Sequence, residues 1–291
     1  MKFAIIGGNT RWSKILIENF KKQNHTLIYT SSRYIDLKNN FKNIKKIPLE
    51  KIDFIVLCSD TMRNFKAAKF FISQKKPVFI EKPITNSYAN FTKLRKLIKK
   101  NSLFFADYQH MYSDVVNFLI KRIHKEKLIS IKILFGKNGP KKKINSSYEW
   151  LPHPLSIFFS LLNVELNLQP IYQNFINKKK TNLVIDGIIQ NKVNLYIKSG
   201  NNFKKKIYEL DILTNKNLYF YDASKPNSLI IIKKDNTTKK RILKFKNYPL
   251  FNSIKTFSEI LKNENKKKRY MLKYNQEVSE KIMKYLHINN L

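Results

Sequence analysis

Apolar positions in the first hundred residues alternate between two spacings. Short runs rich in β-branched, aromatic and aliphatic side chains, Phe3–Ile6, Thr26–Thr30, Phe54–Cys58, Val78–Ile80 and Leu103–Ala106, read as strands buried on both faces. Between them apolar residues recur at helical spacing, first Trp12, Ile15, Leu16 and Phe20, then Phe65, Ala68 and Ile72, then Tyr88, Phe91, Leu94 and Ile98. Strands that alternate with helices predict a doubly wound parallel sheet.

Near residue 110 the pattern changes. A helix carrying Val115, Val116, Leu119 and Ile123 precedes a strand at Ile129–Phe135, and a basic loop leads to an apolar helix over Leu151–Leu162. The runs Leu183–Ile189, Val193–Lys198, Ile207–Leu213, Leu218–Tyr221 and Leu229–Ile232 then follow at the spacing of an antiparallel meander, where one face stays wet and Lys alternates with Ile. Ile189, Leu195, Ile197 and Leu210 belong either to the core or to an exposed sheet face, and parity alone does not separate the two. Closing helices carry Ile254, Phe257 and Leu261, then Ile282, Tyr285 and Leu286.

Composition narrows the class. The 291 residues are 43% hydrophobic and 13% aromatic, enough for a sizeable core. A single Cys58 excludes a disulfide framework and suits a reducing compartment. The opening apolar run is too short for a signal peptide, and Leu155–Leu162 is too short for a membrane span, so a soluble cytoplasmic protein is expected. The net charge of +37 raises the question of nucleic acid, but only seven of the 57 basic residues are arginine, the residue suited to bidentate base and phosphate contacts. Lysine is spread over every expected helix and loop, so no specific nucleic-acid partner is expected, only polyanion binding at low salt.

Three local patterns carry chemistry. Gly7-Gly8-Asn9-Thr10-Arg11-Trp12-Ser13 departs from G-x-G-x-x-G, with Thr10 and Ser13 in place of the later glycines, yet it still puts a tight turn and a helix N-terminus where a pyrophosphate binds. The second strand ends in Thr30-Ser31-Ser32-Arg33, with hydroxyls and a guanidinium in place of the carboxylate that grips a ribose 2′-hydroxyl. That favours a 2′-phosphate, hence NADP(H), with NAD(H) still compatible. Finally, Pro77-Val78-Phe79-Ile80-Glu81-Lys82-Pro83 ends a buried strand at a carboxylate and an ammonium, which places Lys82 beyond the carboxyl end of the sheet, where ligands bind. Strand parity sends Glu81 to the opposite face, away from Lys82.

These residues resemble the Gfo/Idh/MocA family (glucose–fructose oxidoreductase, inositol dehydrogenase) of NAD(P)-dependent oxidoreductases over nearly the whole chain. Glu81-Lys82-Pro83 is the most specific match. Ile55–Asp60 resembles the family's strand and Thr-Pro turn, with Ser59 and Asp60 at those two places. Ala106–Tyr112 resembles the stretch that opens the second domain, with Met111 where Arg is common, and Glu149–Leu155 resembles the Asp-x-x-x-His motif, with Glu149 and His153 in its two places. Pro249–Phe257 resembles the penultimate helix.

The resemblance implies an α/β protein with an N-terminal Rossmann domain, residues 1–108. A C-terminal α+β domain, residues 109–291, carries a large open, mainly antiparallel sheet for substrate binding and dimerisation, its last helices free to pack back on the first domain. It also implies an active site between the domains and hydride transfer between NADP(H) or NAD(H) and a sugar- or polyol-like alcohol or ketone. The implied catalytic residues are Lys82, His153 and Glu149. The implied cofactor-binding residues are Gly7, Gly8, Thr10, Arg11, Trp12, Ser31, Ser32, Arg33, Ser59, Glu81 and Lys82, with Tyr108 and His110 on the substrate and no metal. Ser156 stands where the family often has an acidic residue.

Within this chemistry Lys82 shuttles the hydroxyl proton. Pro152 and Pro154 lack N–H groups and fit only the start of a helix, so His153 is expected in a first turn, where the helix field favours the neutral ring, with Glu149 just outside. The degenerate glycine turn leaves a rival of another class, a weak or inactive family member serving as a binding or scaffold subunit. An imine reductase is a further alternative, and a homo-oligomer is compatible with the open sheet.

Overall fold

The computed structural model describes residues 1–32, 39–98, 103–138, 146–176, 179–190, 192–234, 240–262 and 266–291. The chain divides into two compact units, residues 1–107 with 253–283 and residues 108–252 with 284–291.

The first unit is built on five parallel strands, β1 (Lys2–Ile6), β2 (Thr26–Ser31), β3 (Phe54–Leu57), β4 (Val78–Glu81) and β5 (Phe104–Asp107), in the order β2-β1-β3-β4-β5. Every residue of β3, β4 and β5 is buried, as the uninterrupted apolar runs require of a sheet covered on both faces. Helices α1 (Arg11–Lys22), α2 (Thr61–Ser73) and α3 (Tyr88–Ile98) link the strands. Strand order reverses between β1 and β3, which marks the crevice where such sheets bind ligands.

Two late helices, α7 (Pro249–Lys262) and α8 (Lys266–Ile288), contribute most of their length to this unit. Phe257 of α7 completes an aromatic core with Phe20, Phe54, Phe79 and Phe105, at ring separations of 6.5, 5.2, 5.3 and 5.6 Å. From α8, Asn275 pairs with the edge strand β5. Its side-chain oxygen accepts from Ala106 N at 2.9 Å and its amide donates to Ala106 O at 2.8 Å, so the backbone of edge strand β5 stays paired.

In the second unit α4 (Asp114–Ile123), β6 (Leu128–Asn138), α5 (Ser146–Trp150) and α6 (Pro152–Leu162) precede β7 (Ile171–Ile176), β8 (Lys179–Ile189), β9 (Val193–Gly200), β10 (Asn202–Thr214), β11 (Asn217–Asp222), β12 (Ser228–Lys233) and β13 (Lys240–Lys244). The eight strands run β13-β12-β11-β10-β6-β9-β8-β7. All neighbours are antiparallel except β6 and β9, which pair in parallel, so the sheet is mixed and mainly antiparallel. β7, interrupted by Gln173-Asn174, and β13, whose Ile242-Leu243 is flanked by lysine and arginine, were not among the strands expected from the sequence. The ambiguous Ile189, Leu195, Ile197 and Leu210 all lie in the core. The opposite face carries Lys132 and Asp211, paired at 3.4 Å. Among the described residues no helix is long and apolar enough to cross a membrane.

Candidate active site

The glycine turn is held by backbone geometry. Gly7 has φ +96° and donates its N–H to Ser31 O at 2.8 Å. A Cβ at this position would stand 2.3 Å from Cys58 O, so the turn admits only glycine. Thr10 and Ser13 do not merely substitute for small residues. Thr10 Oγ1 accepts from Ser13 N at 3.0 Å and Ser13 Oγ accepts from Thr10 N at 2.8 Å, a capping box at the start of α1. The N–H groups of Arg11 and Trp12 have no intrahelical acceptor, and the first turn holds no acidic residue. That donor set fits a pyrophosphate.

Beyond β2 the polar residues divide into supports and lining. Ser31 is fully buried. Its hydroxyl donates to Phe41 O at 2.6 Å and accepts from Arg63 at 2.9 Å, so it fastens the guanidinium and does not face outward as the sequence reading had it. Arg63 also donates to Ser31 O at 3.1 Å. Asp60 caps α2 by accepting from Arg63 N, while Ser59 N donates to Asn64 Oδ1. A cavity of about 430 Å³ is lined by Ser32, Lys42, Asp60, Met62, Arg63 and Lys66. Arg33 lies outside the described residues.

At the end of β4, Glu81 is buried and Lys82 is half-buried immediately after it. Trp12 Nε1 donates to Glu81 Oε1. Asp107, at the end of β5, is the register partner of Glu81 and accepts from Ser253 Oγ at 2.6 Å. Burial foremost, then the charge of Asp107, pushes the Glu81 carboxyl well above the usual range, while Lys82 opposes the shift. Burial also pushes Asp107 up to about 6, against the Ser253 and Glu81 hydrogen bonds and the charge of Lys82. Opposite parity therefore does not isolate Glu81 from Lys82, because charges act through the buried strand end and not only along one face. Sequence reading gave no role to Asp107 or Arg63. Asp107 lay in a quoted stretch and Arg63 did not, and the partners Ser253 and Ser31 stand far away along the chain.

In the second unit the two prolines do set a helix start, but not an open one. Pro152 and Pro154 cannot donate to the preceding turn, and α6 begins at Pro152 with His153 in its first turn. Helix α5 runs directly into it, with Leu151 in the right-handed helical region and its N–H donating to Ser147 O. Glu149 thus sits inside α5, not outside a helix, and the abutting turn weakens the field expected on the His153 ring. The Ser156 hydroxyl donates to His153 O at 2.7 Å.

The His153 ring stands 5.3 Å from His110 and 5.7 Å from Phe135, and Phe135 stacks on Tyr208 at 4.9 Å. Trp150 flanks both His153 and Tyr208. The Lys137 and Lys206 ammoniums lie over Trp150 and Tyr208 at 5.8 and 4.6 Å. Tyr108 is fully buried at the head of a short 3-10 turn, Gln109–Tyr112, that carries His110. Burial, then the charge of Glu149, raises the Tyr208 phenol. Only Trp150 of this aromatic wall lay in a recognisable motif, since Phe135 and Tyr208 are brought in by the pairing of β6 with β10.

No curated protein matches the chain in sequence. Residues 2–108 match the family described as oxidoreductase family, NAD-binding Rossmann fold. Solved structures share the fold across both units. An inositol dehydrogenase homolog from Azotobacter vinelandii, complexed with NADH and myo-inositol, superposes with a TM-score of 0.79 at 10% identity, covering 98% of this chain and 93% of its own. UDP-N-acetylglucosamine 3-dehydrogenase from Acidithiobacillus ferrooxidans gives 0.78 at 12% identity, over 99% of each chain. A Gfo/Idh/MocA family oxidoreductase from Vibrio cholerae gives 0.76 at 13% identity, over 97% and 96%. The glycine turn and the Glu81-Lys82-Pro83 strand end both lie within residues 2–108, which match this family's NAD-binding Rossmann domain, and the chain shares its fold with Gfo/Idh/MocA family structures.

Proposed function

We propose that this protein is an oxidoreductase that transfers hydride between a nicotinamide cofactor, NADP(H) in preference to NAD(H), and a sugar- or polyol-like alcohol or ketone. The observation that carries the reading is a lysine held just past β4, in the same parallel sheet whose first turn requires Gly7 and opens a helix N-terminus without acidic residues. Gly7, Gly8, Thr10, Arg11 and Trp12 would hold the pyrophosphate. When bound, the nicotinamide supplies or accepts the hydride. Lys82 carries the accompanying proton to or from the substrate oxygen. The sugar or polyol class is drawn from what the named relatives bind or act on.

The preference for NADP(H) rests on the cavity beyond β2. Lys42, Arg63 and Lys66 supply three cations against one carboxylate, Asp60, whose Oδ1 already caps α2. A guanidinium pinned by Ser31 is preorganised for a 2′-phosphate. Fluorescence titration at physiological salt should therefore show NADPH binding more tightly than NADH. Arg63→Ala, and Lys42→Ala with Lys66→Ala as a companion that leaves Ser31 in place, should each reduce that difference. Arg63→Ala should do so by about 1.5–3 kcal/mol, the range for a hydrogen bond to a charged group. Equal affinities in the parent would refute the preference.

A further inference from the structure

We propose that Glu81 and Asp107 form a buried carboxyl pair that holds one proton between them, and that Asp107 acts through this pair as a positioning residue for Lys82. The inference rests on the oxidoreductase reading for its use, though not for its geometry.

The two side chains leave adjacent parallel strands at the same register, and they are 8% and 2% exposed. Trp12 Nε1 occupies one oxygen of Glu81, and Ser253 Oγ one oxygen of Asp107. The second Asp107 oxygen, Oδ2, is buried and receives no hydrogen bond from any N–H or hydroxyl among the described residues. Beside Asp107 stands its register partner Glu81, the other buried carboxyl of this sheet end. Two ionised carboxylates have only acceptors to offer each other, so a hydrogen bond between these neighbours requires that one of them keep its proton. Burial raises both carboxyls, which favours keeping that proton on the pair.

The groups acting on the pair come from every surrounding element. They are the Cys58 thiol from the end of β3, itself pushed up by burial and by both carboxyls, the Trp12 indole from α1, Ser253 from α7, and Lys82. Lys82 supplies the positive charge. With one shared proton the pair carries a single negative charge, which balances one ammonium. With both carboxyls ionised, two negative charges would lock Lys82 in its ammonium form. With both protonated, the pair would offer it no charge. The pair keeps its proton while Lys82 alone passes between amine and ammonium, so the hydroxyl proton of the substrate is accounted for without a second acceptor.

Isosteric amides separate these states. Glu81→Gln and Asp107→Asn each copy the singly protonated pair, one negative charge beside a hydrogen-bond donor, whereas the double variant carries none. Infrared spectroscopy of the cofactor-free protein at pH 7 should show a protonated carboxyl that either single amide abolishes. The apparent pKa of Lys82, followed by pH-dependent amine labelling and mass spectrometry, should stay in place in each single variant. It should fall by roughly 1–3 units in the double variant, the range for loss of one close opposite charge. Absence of a protonated carboxyl at pH 7 in the parent, which needs no variant to fold, would overturn the shared proton. A fall in the Lys82 pKa in both single variants would do the same, since it would mean two charges in the parent. Neither measurement involves turnover, so failure of the oxidoreductase reading would show separately, as a protein with the carboxyl signature but no dehydrogenase activity.

Discussion

Phe257 is the residue through which α7 belongs to the first unit, and its removal gives the most direct check on that architecture. The ring is fully buried, 5.2–5.6 Å from Phe54, Phe79 and Phe105 and 6.5 Å from Phe20. Phe54, Phe79 and Phe105 sit on three neighbouring strands, whose spacing is fixed by backbone hydrogen bonds, so the sheet cannot close over the space left by Phe257→Ala. Phe→Ala in a core costs about 3–5 kcal/mol, with the larger values where the site cannot collapse. The steep ring angles of 85°, 75° and 68° against Phe20, Phe54 and Phe79 add edge-to-face attraction, so about 4 kcal/mol or more is expected. Ser253 lies one turn earlier on the same helix face, so a loosened α7 also weakens its bond to Asp107. Denaturant unfolding followed by circular dichroism measures the loss. Tyr270→Ala, at a side chain 67% exposed on α8, serves as a control expected to change stability by no more than about 0.5 kcal/mol. A loss below about 1 kcal/mol for Phe257→Ala, close to the control, would refute the argument that α7 completes this core.

The remaining expectations concern catalysis and pH. Lys82→Ala should lower kcat by about 10²–10⁴, the range for general acid–base catalysis, with cofactor affinity largely kept, and Lys82→Arg should restore little because a guanidinium does not give up its proton. Steady-state kinetics decide this, and turnover within a few-fold of the parent would end the proton-shuttle role. His25 packs edge-on against Phe20 and Phe54 with Nε2 2.7 Å from Ser258 Oγ, and burial lowers it from 6.5 to about 4. The unfolded chain therefore takes up the proton first, and stability is lost as pH falls from about 6.5 towards 4. Asp107 works in the opposite direction, since its raised pKa removes stability as pH rises through about 6. Denaturation midpoints across pH 4–7 should accordingly show a smaller loss of stability on acidification in His25→Asn than in the parent, and parallel curves would contradict the assignment.

Much of this could be read from local pattern. Short runs of β-branched, aromatic and aliphatic residues gave β1 to β5, because buried parallel strands are rich in them, and helical spacing gave α1 to α3. Pro152 and Pro154 located the start of α6, because a residue without an N–H fits only where no hydrogen bond is missed. Gly7 and Lys82 were visible for the same kind of reason, a backbone angle in one case and a strand terminus in the other. What the pattern lacked was any record of pairing between distant segments. Period 2 placed Ile189, Leu195, Ile197 and Leu210 on a face without saying which face the helices cover. Arg63 reaches Ser31 across 32 residues, and Ser253 reaches Asp107 across 146. Glu81 and Asp107 are neighbours because β4 and β5 align in parallel at that register, and α7 then supplies a hydroxyl to Asp107. Local sequence specifies torsion angles and which side of an element is apolar. Which charges are buried against one another depends on strand order and register, which only the assembled chain defines.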